Sequence, residues 1–280
     1  MIQQRLKKLY KSSPWFVRKT AILFFSLIVD IWAGLKRVHF PEKYNSEWAS
    51  RLEMLSGNLE KETVALCKKI LKPGMNAVDI GAHIGYYTML FSKLVGKNGQ
   101  VFAFEPEPEN FQLLAENTGK YRNVKIFKKA ISDKSGPLWF YRSEGKTACH
   151  SLLPADFRNE KIEVQAATLD QFLLENNSPK IDLIKLDIEG AEPYAVAGMR
   201  KLFAESKDTM LVFEFCPNNL IPLTASPYKF LEDLQQFGFN LYIIKNKGEL
   251  DLIDLSRDRE TIENLIRQTR DGYINIFCKK

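Results

Sequence analysis

The segment from residue 77 to residue 127 constrains the fold most, because short apolar runs alternate there with helical periods. Ala77–Ile80 reads as a strand, Tyr86–Val95 as a helix, Gln100–Glu105 as a strand, Pro108–Thr118 as a helix and Val124–Phe127 as a strand. Gly96 with the Asn98-Gly99 turn closes the first helix, and Gly119 is placed to cap the second. Strand–helix–strand–helix–strand in about 55 residues is the pattern of a parallel, doubly wound sheet. Asn58 is placed to cap a preceding helix that runs to Leu71 and stops at Pro73-Gly74. Further strands are expected at Ile181–Asp187, Thr209–Phe215, Asn240–Ile244 and Tyr273–Cys278, with helices over 192–203 and 227–237. Leu138–Arg142 and Lys161–Ala167 read as an inserted hairpin or as edge strands. The expectation is an α/β protein: a doubly wound, mostly parallel, seven-stranded Rossmann-like sheet with an N-terminal helical arm.

At 280 residues, 45% of them hydrophobic, the chain is long enough to bury a sizeable core, which excludes disorder and small stapled scaffolds. Cys67, Cys149, Cys216 and Cys278 form no CxxC pair, and His39, His83 and His150 have no metal-ligand spacing, so no metal is expected. The net charge of +6 is unevenly placed. Residues 1–40 hold eight bases against one acid (8 − 1 = +7), and the other 240 residues hold 32 bases against 33 acids, or −1. The basic character belongs to the N-terminus, which argues against a nucleic-acid surface spread over the fold.

The domain boundary is placed between residues 57 and 58: a basic N-terminal arm over 1–57, a catalytic-type domain over 58–280. In the arm, six bases within residues 1–19 precede the apolar run Ala21–Val29, which Asp30 interrupts before Ile31–Leu35. The run is shorter than the ~20 residues a bilayer-spanning helix needs, and no small-residue cleavage site follows it. Two readings stay open: an interfacial helix with Trp15, Phe16 and Trp32 at headgroup depth, or a helical lid with solvated bases. Pro41 and the polar stretch 42–46 read as a linker. The expected location is cytoplasmic, with peripheral membrane contact through residues 1–40 under the first reading.

The first strand runs into Asp79-x-Gly81-x-x-x-Gly85. Glycines at a strand-to-helix turn let the backbone bend sharply and approach a ligand without a Cβ in the way. The spacing is neither Gly-x-Gly-x-x-Gly nor a P-loop. The acid at Asp79 disfavours a pyrophosphate and suits an amine-bearing ligand, such as the aminoacyl end of S-adenosylmethionine. Glu105, at the tip of the next strand, can accept from both hydroxyls of a ribose, a group S-adenosylmethionine shares with NAD. Ala130-Ile131-Ser132-Asp133 follows the third strand, where Ile131 and Asp133 could meet an adenine edge or Asp133-Lys134-Ser135-Gly136 could simply be a polar turn.

Together these stretches resemble class I S-adenosylmethionine-dependent methyltransferases, and more closely the FkbM-type family. The resemblance is carried by residues 78–88, Phe104-Glu105-Pro106, residues 130–133, Thr168-Leu169-Asp170 and Ile184-Lys185-Leu186-Asp187-Ile188-Glu189-Gly190-Ala191-Glu192. It covers roughly residues 60–245 and leaves the N-terminus outside. It implies S-adenosyl-L-methionine as cofactor, held by Asp79, Gly81, His83, Gly85, Glu105, Ile131, Asp133 and Asp187. His83 stands where the family often has Asn. It also implies methylation of an oxygen atom on a sugar, lipid or secondary metabolite, so the expected partner is a small-molecule or glycan acceptor.

Methyl transfer to an alcohol is an in-line displacement that needs alignment and gains ~10²–10⁴-fold from a positioned base. Asp187, Glu189 and His150 are the candidates. Glu192 suits the start of a helix as well as a catalytic cluster, and Glu214, at the end of the fifth strand, is placed either to line an acceptor pocket or only to satisfy a buried donor. The alternatives are a nicotinamide-dependent oxidoreductase, which needs another glycine spacing and a Tyr-x-x-x-Lys-like relay, and a non-catalytic membrane-recruited scaffold.

Overall fold

The computed structural model describes residues 15–41, 48–143, 147–221, 223, 226–269 and 272–280. The chain divides into two compact units, 1–59 and 60–280.

In the first unit, α1 (Trp15–Lys36) pairs with α2 (Trp48–Ser56). Val29 and Ala33, one helical turn apart, bury against Leu55, with Trp32, Val38, Phe40 and Leu52 around them. Asp30, the acid that interrupts the apolar run, is ion-paired with the buried Arg51, whose guanidinium lies 4.7 Å from the Phe40 ring centroid. A second group of apolar side chains on α1, Leu23, Phe24, Leu27, Ile28, Ile31 and Leu35, is exposed. No helix among the described residues is long and apolar enough to cross a membrane. The side chains of Trp15 and Phe16, and the linker over 42–46, lie outside the described residues.

The second unit opens with α3 (Lys61–Ile70). Its N-cap is Glu60 in the left-handed region, not Asn58, whose amide turns back to donate to Ser56 Oγ at 2.9 Å. Then follow β1 (Asn76–Ile80), α4 (Tyr86–Val95), β2 (Gln100–Phe104), α5 (Pro108–Thr118) and β3 (Val124–Phe127), as the periodicity requires. β4 (Ala130–Ile131), β5 (Gly136–Arg142) and β6 (Glu160–Ala167) form a separate three-stranded sheet in the order β4-β6-β5, so the hairpin reading holds and the edge-strand reading does not. The chain continues through α6 (Leu169–Glu175), β7 (Leu183–Leu186), α7 (Glu192–Ala197), α8 (Arg200–Glu205), β8 (Met210–Phe215), α9 (Pro217–Leu220), α10 (Tyr228–Gln236), β9 (Asn240–Lys245), β10 (Glu249–Leu252), α11 (Arg259–Gln268) and β11 (Ile274–Lys279).

The main sheet has the order β10-β9-β11-β8-β7-β1-β2-β3. The stretch from β3 to β8 is parallel, while β11 runs against both β8 and β9. It therefore has eight strands where seven were expected. The extra one, β10, is exposed along its length and lies on the antiparallel edge, so no buried alternation marks it in the sequence. The helix expected over 192–203 is two helices, and Asp170 accounts for the break. Its carboxylate accepts from Lys201 N at 2.8 Å and Leu202 N at 2.9 Å, capping the start of α8.

Strand alternation sorts the core into two layers. Ile80, Phe104, Leu186 and Phe213 face one cluster, and Ala77, Val101, Leu183 and Val212 face the other. The same period puts Asp79, Lys185, Glu214 and Asn275 on the second face, an all-polar stripe across four adjacent strands. The strand order reverses at β1, between β2 and β7, which is where ligands bind in such sheets.

Candidate active site

The glycine loop leaves β1 with Gly81 at φ +81° and enters α4 with Gly85 at φ +94°. Gly81 passes so close to the tip of β7 that a Cβ there would stand 1.9 Å from the Asp187 carbonyl oxygen. Gly81 N and Ala82 N both donate to Phe104 O at 3.0 Å, and Asp187 N donates to Ile80 O at 3.0 Å. Backbone hydrogen bonds thus lock the tips of β1, β2 and β7 together.

At the tip of β2, Glu105 is 4% exposed. Its Oε2 accepts from His83 N and its Oε1 from Glu107 N, both at 2.9 Å. Burial pushes its pKa up to about 8 against those two donors. The His83 contact is therefore made by the backbone. The imidazole itself is half-buried, with desolvation driving its pKa to about 4, opposed by Asp187 and aided by His150 and Lys185.

Asp79 is buried and accepts from Thr88 Oγ1 at 2.6 Å, tying β1 to the first turn of α4. Burial raises its pKa, and Lys185 is the main opposing charge. Ile131 is buried at the end of β4, and the exposed Asp133 accepts from Ser132 Oγ at 3.0 Å.

Asp187 is half-buried and its Oδ2 accepts from Lys185 Nζ at 2.7 Å. Lys185 is 4% exposed, with Nζ 4.4 Å from the Tyr87 ring centroid. Desolvation opposes its charge, yet Asp187, Glu60 and Asp79 together raise its pKa. Glu60 Oε2 accepts from Tyr87 OH at 3.0 Å and from Asn275 Nδ2 at 3.3 Å. Burial raises the Glu60 pKa, and that of Glu214 to about 10, the latter helped by Asp187, Glu189 and Glu60. Burial and the neighbouring acids thus favour the protonated form of Glu214.

Glu189 stands at φ +56°, and its Oε2 accepts from Asn219 Nδ2 at 3.1 Å. Burial first, then Asp187 and Glu192, push its pKa up to about 8 against Arg158 and Asn219. Glu192 folds back over the loop instead. Its Oε1 accepts from Ile188 N at 3.2 Å and Gly190 N at 3.3 Å, and burial raises its pKa to about 7.

Arg158 is 8% exposed and donates to Cys149 O at 2.8 Å, Leu153 O at 2.9 Å and Glu189 O at 3.3 Å. It pins the loop carrying His150 to the Glu189 turn. Ser143 N donates to His150 Nδ1 at 2.9 Å, which leaves the neutral ring with its proton on Nε2. His150 is therefore built to donate a hydrogen bond rather than to take a proton.

The structure brings Gly81, His83, Gly85, Glu105, Asp187, Glu189 and His150 to one edge of the sheet and turns Asp79 inward beneath it. Sequence reasoning missed Lys185, Glu60, Arg158 and Asn219. Lys185 alone carried a signal: a cation between Ile184 and Leu186 in a buried strand must have acids around it.

Three relatives share parts of this chain. The 2-O-methyltransferase NoeI of Sinorhizobium fredii is 30% identical over 151 residues, 49% of this chain and 62% of that protein. The hexuronic acid methyltransferase AglP of Haloferax volcanii is 24% identical, covering 69% of this chain and 77% of its own. The 31-O-demethyl-FK506 methyltransferase FkbM of Streptomyces tacrolimicus is 28% identical, covering 46% and 61%. The chain thus spans less than two thirds of the length of two of the three. The model of the methyltransferase FkbM domain matches residues 79–241, from the acid before the glycine loop to the strand β9, and the chain belongs to that family.

Proposed function

We propose that this chain is an S-adenosylmethionine-dependent O-methyltransferase acting on a hydroxyl of a sugar, glycolipid or secondary metabolite. The observation that carries the reading is the Glu105 carboxylate, buried at the tip of β2, held by two backbone N–H groups and beside a glycine turn. The donor set suits the cofactor. Glu105 keeps lone pairs for ribose hydroxyls, Gly81 and Gly85 supply the left-handed turn that presses the loop against the strand tips, and the Asp187 carboxylate faces the place an amino group would take. When bound, the cofactor supplies an electrophilic methyl group. The family membership favours this over the nicotinamide-dependent alternative, and the names of NoeI and FkbM support an oxygen acceptor.

The chain's own residues divide the work. Glu189, whose carboxyl burial pushes up to about 8, takes the proton of an acceptor hydroxyl only in its ionised form, which gains population as pH rises toward 8. Lys185 fixes the Asp187 carboxylate, and Glu192 fixes the loop that aims Glu189. His150 donates from Nε2 to orient the acceptor, and Arg158 positions its loop. Asp79 acts through Thr88 as a positioning residue for the glycine turn.

Calorimetric titration of the purified protein with S-adenosylhomocysteine is expected to show one site, lost in Glu105→Ala. Incubation of cell extract with methyl-labelled cofactor is expected to label a hydroxyl-bearing small molecule or glycan. Absence of S-adenosylhomocysteine binding overturns the reading. Binding without transfer to any acceptor favours the scaffold alternative.

We also infer that residues 1–40 contact an anionic membrane surface peripherally. The support is the exposed apolar face of α1 together with the charge of +7 in that segment.

A further inference from the structure

At the amino ends of the strands, opposite the glycine loop, lies a cleft of about 810 Å³. It is formed where the chain enters β1, β2, β3 and β7. Lys93, Lys97, Lys120, Arg122 and Lys125 line it, and no Asp or Glu does. Among the described residues none of these five bases is ion-paired. Bases elsewhere on the unit commonly are: Arg142 with Glu107, Glu109 and Glu160, Lys180 with Asp182 and Asp208, Arg267 with Glu263. A body whose residues 41–280 carry 32 bases and 33 acids has thus collected five unneutralised cations in one concavity.

The floor beneath them is rigid. Asn123 Nδ2 donates to Ser92 O and Gly96 O at 2.9 Å, and its Oδ1 accepts from Ser92 Oγ at 2.6 Å. Gln100 Nε2 donates to Asn123 O at 2.7 Å, and Asn76 Oδ1 accepts from Gln100 N at 3.0 Å. These amides are engaged in holding the loops between α4 and β2 and between α5 and β3. What remains for a ligand is charge. Lys125 Nζ lies 5.6 Å from the Phe102 ring centroid and Lys120 Nζ 5.4 Å from that of Tyr121, so aromatic faces steady two of the cations. Asp182, which accepts from the N–H of the lining residue Asn76 at 2.8 Å, is neutralised by Lys180 at 3.2 Å.

We propose that this cleft binds a small molecule bearing two or more phosphoryl groups, at a site separate from the reaction centre. Its volume lies within the ~300–1,000 Å³ of small-molecule sites, and its concave positive field concentrates multivalent anions. Soluble esters and lipid headgroups both carry this chemistry, and the test separates them.

The test uses the full chain and inorganic tripolyphosphate as probe. Calorimetry at low ionic strength is expected to show binding that weakens with salt. The double variant Lys120→Glu/Arg122→Glu is expected to bind about tenfold or more weaker, two charge-assisted contacts being lost. S-adenosylhomocysteine affinity is expected to be the same in both proteins, which checks the fold and separates the two sites. Displacement of tripolyphosphate by vesicles containing phosphatidylinositol bisphosphate assigns the headgroup as the source, and failure to displace it assigns the soluble ester. No heat with the wild-type protein, or equal binding by the double variant, overturns the proposal.

Discussion

Gly81 and Asp187 meet backbone to backbone: the position of a Cβ on Gly81 lies 1.9 Å from the Asp187 carbonyl oxygen. The loop after β1 and the acidic tip of β7 are therefore one rigid unit. Gly81→Ala is expected to separate them, abolishing S-adenosylhomocysteine binding and costing well over the ~1 kcal/mol of a left-handed backbone alone. Gly74→Ala is the control, since Gly74 has φ +91° but nothing within 4 Å of its Cβ position. Urea unfolding of the two variants separates strain from collision. Equal losses would show that the contact between loop and tip is unimportant.

Lys185 sits among Asp187, Glu60 and Asp79 in a region it nearly alone neutralises. Replacing it by Met removes the cation and leaves the acids. The expected loss is about 3–5 kcal/mol, the range for breaking a buried pair from one side. The loss should shrink in Lys185→Met/Glu60→Gln, since one orphaned carboxylate is then gone. A single Lys185→Met variant as stable as the wild type would remove Lys185 from its role at the site.

Glu189 makes the fold pH-sensitive. Its carboxyl has an ordinary pKa of 4.5 and holds its proton to about 8 in the folded chain. Between those values the folded state binds more protons than the unfolded one. Stability is therefore fullest below pH 4.5 and falls as pH rises toward 8, by at most about 1.4 kcal/mol per unit from this group. Glu105 adds to the same slope. In Glu189→Gln, where Asn219 can still donate to the side-chain oxygen, melting temperatures from pH 5 to 8 should fall less steeply than in the wild type. Parallel curves would refute the assignment.

Much of this was legible because alternation and periodicity are local. Ala77 through Phe127 announced three strands and two helices, and Asp79-x-Gly81-x-x-x-Gly85 announced the turn between the first strand and its helix. What stayed hidden depends on contacts distant in sequence. Glu60 reaches Tyr87 and Asn275 from the start of α3, and Arg158 finds Glu189 across 31 residues. The acid at Asp79 suits an amine-bearing ligand by its place before the glycine turn, but strand alternation turns it toward Thr88 and α4. Thr168-Leu169-Asp170 carried family resemblance, yet its structural work is capping two helices: Thr168 at α6 and Asp170 at α8.

The exposed face of α1 supplies the last prediction. Leu27 and Ile31, one turn apart, are each 58% exposed although the segment could have placed polar residues there. Inserting such side chains below the headgroups contributes about 1.5–3 kcal/mol each, and each basic residue near an anionic surface about 1 kcal/mol more. Leu27→Glu/Ile31→Glu is expected to abolish sedimentation with phosphatidylserine vesicles while leaving S-adenosylhomocysteine binding unchanged. Neutralising Lys7, Lys8 and Lys11, which lie outside the described residues, should weaken sedimentation, as should added salt. Equal sedimentation with neutral and anionic vesicles would remove the electrostatic contribution, and sedimentation by the double Glu variant would remove the apolar one. The face would then be left to a protein partner, a second copy of this chain among them, which cross-linking in the absence of lipid would reveal.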